Sequence, residues 1–260
     1  MDELKRVQYL GRIGIERAED PDARFLAALQ LAHLQNIFFE NLSIRWGEPM
    51  GLEEKHLFEK IALKKRGGLC YECNTLFARL LESLGFRIRL VSARVVLADG
   101  RLSSEFDHMA ILVELEEPWL ADVGFGDTFT KPLRLRPGLI QLEEGRAYRL
   151  DKSGDSYLLQ QNLQGQGWKT QYQFTIQARQ VADFQEMFLF HQHSPQSHFK
   201  KAPLASLVIP GGRKTLSGNK LIHTSVMSCL ICLYKSGIVS KNRADYAQDQ
   251  VPVFTQSRGA

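Results

Sequence analysis

RGGLCYECNTLFARLLESLGFRIRLVSARVV, residues Arg66 to Val96, changes its period once, and that change divides the chain. After Gly67-Gly68 the apolar positions Leu69, Cys73, Leu76, Phe77, Leu80 and Leu84 recur at the spacing of an amphipathic helix. Gly85 is the residue expected just past a helix end, where a left-handed backbone conformation is needed. From Phe86 the period drops to two. Ile88 and Leu90 alternate with Arg87 and Arg89, so Arg87 to Val96 reads as a strand.

Upstream of this change the pattern is helical. Asp20 is the expected N-cap ahead of Pro21-Asp22, and Phe25, Leu26, Leu29, Leu31, Ala32 and Leu34 then follow helical spacing. A second helix is predicted over Glu53 to Leu63. Downstream the pattern is β. Met109 to Leu115 and Trp119 to Val123 read as strands joined by a turn at Glu116-Glu117-Pro118. Tyr148 to Leu150, Tyr157 to Gln160 and Tyr172 to Ile176 are further candidates, which makes the middle third an antiparallel β unit. From about Asp183 the pattern is mixed, and Pro210-Gly211-Gly212 is a turn between the apolar runs Leu204 to Ile209 and Thr215 to Ile222. The fold class is therefore α+β.

Composition narrows the function classes. The 260 residues are 44% hydrophobic and 24% charged, ordinary values for a globular protein. A net charge of +4 with scattered basic residues argues against nucleic-acid binding and is compatible with a small anionic ligand. The N-terminus carries Asp2, Glu3, Lys5 and Arg6 and no apolar signal region, and no apolar run approaches the ~20 residues that cross a bilayer. Four cysteines do not suggest a disulfide scaffold, so a reducing cytoplasmic location is expected.

The chemistry concentrates on Cys70. It lies in the first turn of a predicted helix, where the dipole and unpaired N–H groups favour a thiolate, and Arg66 is expected to add positive charge. The two glycines suit close approach of backbone to a substrate. The other reading is a buried structural cysteine. A nucleophilic cysteine needs a base, and the base needs an orienting group. His108 sits at the entry to one predicted strand and Asp122 at the exit of the next, so a hairpin brings both to one open end. Spacing alone leaves open that His108 merely caps a strand and Asp122 begins a turn, and His33, His191, His193 and His198 are rival bases.

RGGLCYECN (Arg66 to Asn74) resembles the nucleophile signature Arg-Gly-Gly-x-Cys-x-Glu-x-Asn of the arylamine N-acetyltransferases. DHMAILV (Asp107 to Val113) resembles that family's histidine strand, and LADVGFGD (Leu120 to Asp127) its aspartate with the following Gly-Phe-Gly loop. HLQNIFFENLSI (His33 to Ile44), SPQSHF (Ser194 to Phe199) and GGRKTLSGNKL (Gly211 to Leu221) are similar to further segments of the family, in its order. The resemblance covers roughly residues 9 to 222 and implies an N-terminal helical bundle over 1–85, an antiparallel β-barrel over 86–182 and an α/β lid over 183–222. It implies a cysteine-protease-like triad of Cys70, His108 and Asp122, and ping-pong transfer from acetyl-CoA to arylamines, arylhydrazines or N-hydroxyarylamines. Phe39, Phe125 and Phe199 match phenylalanines that shape the acceptor pocket, and Gly124, Phe125 and Gly126 lie where the acetyl-CoA thioester arrives. No metal is implied.

The chain departs from the family pattern after Ile222. His223 to Ala260 contains no glutamate, holds Cys229 and Cys232, is poor in helical period and is interrupted by Pro252. It reads either as a shifted frame or as a divergent tail, and the corresponding alternative function is a catalytically impaired or silent homologue. A third reading pairs Cys70-x-x-Cys73 with Cys229-x-x-Cys232 as a zinc or redox site, but their separation far exceeds the ~15–20 residues of a zinc ribbon.

Overall fold

The computed structural model describes residues 1–225 apart from Glu144 and Gln164, together with the strand Cys229–Leu233. The rest of the atypical tail, including Pro252, lies outside the described residues, as do the side chains of Cys229 and Cys232.

The first third forms a bundle of helices. In α1 (Glu3–Ile13) Asp2 caps the start through the Lys5 N–H, and Gly14 ends the helix at φ 79°. In α2 (Ala23–Asn36) the cap is Asp22, whose carboxylate accepts the Phe25 N–H at 2.7 Å. The expected cap at Asp20 is thus displaced by two residues. The short β1 (Phe39–Glu40) and α3 (Leu42–Trp46) follow. The helix expected over 53–63 is divided: α4 (Glu54–Leu57) widens into a π-helical turn, Phe58–Leu63, with Phe58, Lys60, Ile61 and Ala62 buried. The last helix of the bundle, α5 (Cys70–Ser83), is its centre. Every residue from Cys70 to Ala78 is buried, because α5 is wedged between the other helices and a β-sheet. Gly85 closes this segment at φ 91°.

His33 shows how the bundle treats a polar group. Its Nδ1 shares a hydrogen bond with the Tyr9 hydroxyl at 2.8 Å, and its ring packs edge-on to Phe77. Burial, helped by the nearby Arg12 cation, lowers its pKa to about 3. His33 is therefore a neutral core residue and no rival base. Below the ordinary value the unfolded chain takes a proton that the folded ring refuses, so stability is full above that value and is lost as the pH falls toward 3. We expect wild-type protein to lose about 2 kcal/mol through this ring between about pH 7.5 and about pH 5. His33→Gln should flatten the dependence of melting temperature on pH. An equally steep acid decline in the variant would exclude His33 as its source.

The middle third is an eight-stranded antiparallel, barrel-like sheet. Its strands are β2 (Arg87–Val95), β3 (His108–Glu114), β4 (Pro118–Ala121), β5 (Leu133–Arg134), β6 (Gln141–Glu143), β7 (Arg146–Ser153), β8 (Ser156–Leu163) and β9 (Trp168–Thr175). They run in the order β5-β4-β3-β2-β9-β8-β7-β6. The continuous apolar run in β3 has a direct cause: both its faces are covered. Met109, Ile111 and Val113 pack on α5, while Ala110 and Leu112 enter a second core with Tyr148, Leu150, Leu159 and Tyr172. β4 stops at Ala121, two residues before the expected end, because the next two amides donate to bundle side chains. Asp122 N–H bonds Gln30 Oε1 at 3.1 Å, and Val123 N–H bonds Asn74 Oδ1 at 3.0 Å.

In the last third α6 (Gln185–His193) lies against Tyr71 of α5, and a sheet is made of β10 (Leu204–Ile209), β11 (Gly212–Ser217), β12 (Lys220–Ser225) and β13 (Cys229–Leu233), with β1 on its edge. The run expected over 215–222 divides at Gly218, φ 62°, into β11 and β12. β12 also continues past Ile222, with His223, Thr224 and Ser225 in register against Lys214, Arg213 and Gly212. Asn41 clasps this unit to the bundle: its Nδ2 donates to the Phe199 and Ala202 carbonyls at 2.8 Å, and its Oδ1 accepts the Leu204 N–H at 2.7 Å. Among the described residues no helix is long and apolar enough to cross a membrane.

Candidate active site

Three segments meet at the buried start of α5. The glycines before it are steric necessities. A Cβ on Gly67 would lie 2.0 Å from the Phe38 carbonyl oxygen, and one on Gly68 would lie 2.8 Å from Glu72 Cβ. They thus face protein, which corrects the expectation that they admit substrate. Glu72 turns back to accept the Leu69 N–H at 3.0 Å and pairs with buried Lys60 at 2.7 Å. Arg66 is committed elsewhere: it pairs with Glu40 at 3.0 Å and Glu48 at 2.8 Å, and it lies over the Trp46 ring. It supplies no free charge to Cys70, so that part of the electrostatic expectation fails.

Cys70 is 3% exposed. Burial pushes its thiol well above the ordinary range. The Met109 and Tyr71 amides oppose that rise, while the charges of Asp107 and Asp122 add to it. The sulfur therefore lies beside the amide that follows His108. The loop after β4 presses on the same helix start: a Cβ on Gly124 would fall 2.5 Å from Cys70 Cα and 2.8 Å from Asn74 Nδ2. Only glycine allows that approach.

His108 Nε2 lies 2.7 Å from Asp122 Oδ2, with both side chains buried. An ionised carboxylate only accepts, so this nitrogen carries the proton and Nδ1 is left free to accept. Asp122 is held on every side. Oδ1 accepts from Asn74 Nδ2 at 3.0 Å and from the Gly124 N–H at 2.9 Å, and Oδ2 also accepts from the Tyr172 hydroxyl at 3.2 Å. Asn74 in turn donates to the Met109 carbonyl at 2.7 Å, which binds α5 to β3. The positions expected at the open end of a hairpin are thus adjacent in space, and the helix start carrying Cys70 is braced against them.

Phe125 packs on His108 and Tyr172, with ring centroids 5.1 and 5.0 Å apart. Phe39 and Phe199 form an edge-on pair at 6.1 Å, and a Cβ on Gly126 would meet the Phe39 ring at 3.2 Å. Phe125 thus sits against His108, while Phe39 and Phe199 meet each other beside the Gly126 end of the same loop. Tyr172 and Gln30 were missed as site residues. Gln30 had a signal, being a polar residue on the apolar stripe of α2. His193 and His198 are exposed, whereas His191 bonds Asp107. Cys73 is buried with its thiol toward the Gly68 carbonyl. Among the described residues a cleft of about 560 Å3 begins at Asp127 and is lined by Lys131, Glu143, Arg146 and Arg213. Asp127 pairs with both arginines, at 2.7 and 3.4 Å.

A family model described as N-acetyltransferase matches residues 22–257. The chain is 38% identical over 218 residues to the arylamine N-acetyltransferase of Escherichia coli K12, covering 83% of this chain and 77% of that protein. Its fold is similar to the solved structure of the arylamine N-acetyltransferase from Salmonella typhimurium, with a TM-score of 0.85, 32% identity and coverage of 91% and 87% of the two chains. It is also similar to the Mycobacterium marinum arylamine N-acetyltransferase solved in complex with CoA, with a TM-score of 0.82, 34% identity and coverage of 88% and 86%.

Proposed function

This chain belongs to the arylamine N-acetyltransferase family of acyltransferases, and from that membership we propose that it transfers acetyl from acetyl-CoA to arylamines or arylhydrazines through a thioester on Cys70. The observation that carries this reading is the buried His108–Asp122 pair at 2.7 Å, set against the helix start that holds Cys70.

In the first half-reaction Cys70 Sγ attacks the acetyl carbonyl of the donor while its proton passes to His108 Nδ1. The carbon–sulfur bond to coenzyme A breaks, and His108 returns that proton to the departing thiolate. In the second the amine nitrogen attacks the Cys70 thioester, loses a proton to His108 and becomes the amide. The Cys70 thiolate leaves and is reprotonated. A thioester donor and a thiol nucleophile have matched leaving ability, which suits reversible acyl exchange. Asp122 keeps the His108 proton on Nε2 throughout.

The site also supports the choice of substrates. Phe39, Phe125 and Phe199 offer aromatic walls to a flat acceptor. Gly124, Phe125 and Gly126 lead from Cys70 toward the cleft at Asp127, where Lys131, Arg146 and Arg213 outnumber Asp127 and Glu143 and suit an anionic donor. Incubation with acetyl-CoA alone should give one acetyl adduct, mapped to Cys70 by mass spectrometry, and an arylhydrazine should then discharge it. An adduct on Cys73, or one that no arylamine or arylhydrazine removes, would refute this reading.

A further inference from the structure

Beside the Cys70 centre lies a second buried imidazole–carboxylate pair that the chemistry above does not use. His191 on α6 is 1% exposed. Its Nε2 lies 2.9 Å from Asp107 Oδ1, and its Nδ1 lies 3.0 Å from Ser197 Oγ. The carboxylate accepts from Nε2–H, which leaves Nδ1 to accept from the Ser197 hydroxyl. Ser197 Oγ accepts in turn from the Phe199 N–H at 3.3 Å. The result is one directed chain from Phe199 through Ser197 and His191 to Asp107.

Both ends of the chain touch the site. Asp107 is the residue before His108, and Phe199 is the ring that closes edge-on against Phe39. The His191 ring also stands edge-on to Phe199 at 5.0 Å and meets Tyr71, the residue after Cys70, at 6.0 Å. Tyr71 ties back to the same strand entry, donating to the Phe106 and Asp107 carbonyls at 2.9 and 3.0 Å. α6 is anchored as well by Phe188, and the turn before it by Phe184, both fully buried. What the hydrogen bonds add is orientation: they hold the backbone that carries Phe199 relative to the strand end that carries His108, and the edge-on His191 ring touches the Phe199 ring itself.

We propose that His191 is a positioning residue that sets acceptor specificity, holding the Phe199 wall in register with His108 through Ser197. This rests on the reading of Phe39 and Phe199 as walls of the acceptor pocket. The test uses full-length protein and two arylhydrazines, one unsubstituted and one with a bulky para substituent. His191→Ala should change the ratio of kcat/KM for the two acceptors about tenfold, mainly through acceptor KM. Acetylation of Cys70 by donor alone should slow less than the acceptor step. Ser197→Ala, which breaks the Phe199 end, should shift the ratio in the same direction. His191→Gln, which retains a donor for Asp107, should restore part of it.

A second readout needs no turnover. Phe199→Trp places a fluorophore in the wall, and its acrylamide quenching, after subtraction of the three native tryptophans, should rise when His191→Ala is added. An unchanged acceptor ratio with a uniform fall in rate, or unchanged quenching of the introduced tryptophan, would overturn the proposal. If wild-type protein acetylates no arylhydrazine, the proposed function fails instead, and the fluorescence still decides whether His191 holds the wall.

Discussion

Replacing His108 by glutamine should slow acetylation of Cys70 about a thousandfold, the contribution expected of a positioned general base. It should also move alkylation of the thiol to higher pH. Cys70 is buried; burial raises its thiol, and the Asp107 and Asp122 charges raise it further, against the partial opposition of the Met109 and Tyr71 amides. Such a sulfur becomes a thiolate only when a neighbour takes its proton and keeps the positive charge beside it. His108→Gln removes that neighbour and leaves the opposing carboxylates in place, so the sign of the shift is upward. Glutamine retains an N–H donor for Asp122, and thermal melting will show whether the fold is intact. The decisive measurements are the release of free coenzyme A thiol without acceptor and the iodoacetamide rate as a function of pH. A variant that alkylates with the wild-type pH profile would show that Cys70 and His108 do not share a proton.

The sequence made the site legible where one local period decides a position, and it was silent where a distant side chain does. The start of α5 and the turn at Gly85 follow from spacing and glycine chemistry, so Cys70 could be placed at a helix N-terminus. His108 and Asp122 could be placed at one end of a hairpin because the strands on either side of Glu116-Glu117 are short and their register is simple. The β4 boundary could not be read, since Gln30 and Asn74, far away in the chain, take the amides of Asp122 and Val123. Arg66 misled for a related reason. Its charge lies near Cys70 in sequence, yet Glu40 and Glu48 neutralise it in space. Gly67 and Gly68 also look like substrate-facing residues until Phe38 and Glu72 are seen against them. Tyr172 carried no signal at all, being one more inward aromatic on an alternating strand whose hydroxyl happens to reach Asp122.

Asp122→Asn should reduce acetyl transfer about 10^3- to 10^4-fold while leaving the fold intact, and the hydrogen bonds dictate why. The Oδ1 side faces two fixed donors, Asn74 Nδ2 and the Gly124 N–H. Asn74 cannot reverse, because its Nδ2 also donates to the Met109 carbonyl and its Oδ1 accepts the Val123 N–H. A new side-chain amide must therefore point its oxygen at Asn74 and Gly124, and its NH2 at His108 and Tyr172. Tyr172 can rotate its hydroxyl and accept. His108 can accept at Nε2 only by moving its own proton to Nδ1, the nitrogen left for the Cys70 thiol. The ring then offers a proton where it should take one, and the thiol stays protonated. The loss should fall on Cys70 acetylation itself, measured as adduct formation without acceptor. Because His108 and Asp122 act as one unit, the double variant His108→Gln, Asp122→Asn should be no slower than the worse single variant. A single Asp122→Asn variant within about tenfold of wild type, or two losses that multiply in the double variant, would mean that Asp122 does not work through the His108 tautomer.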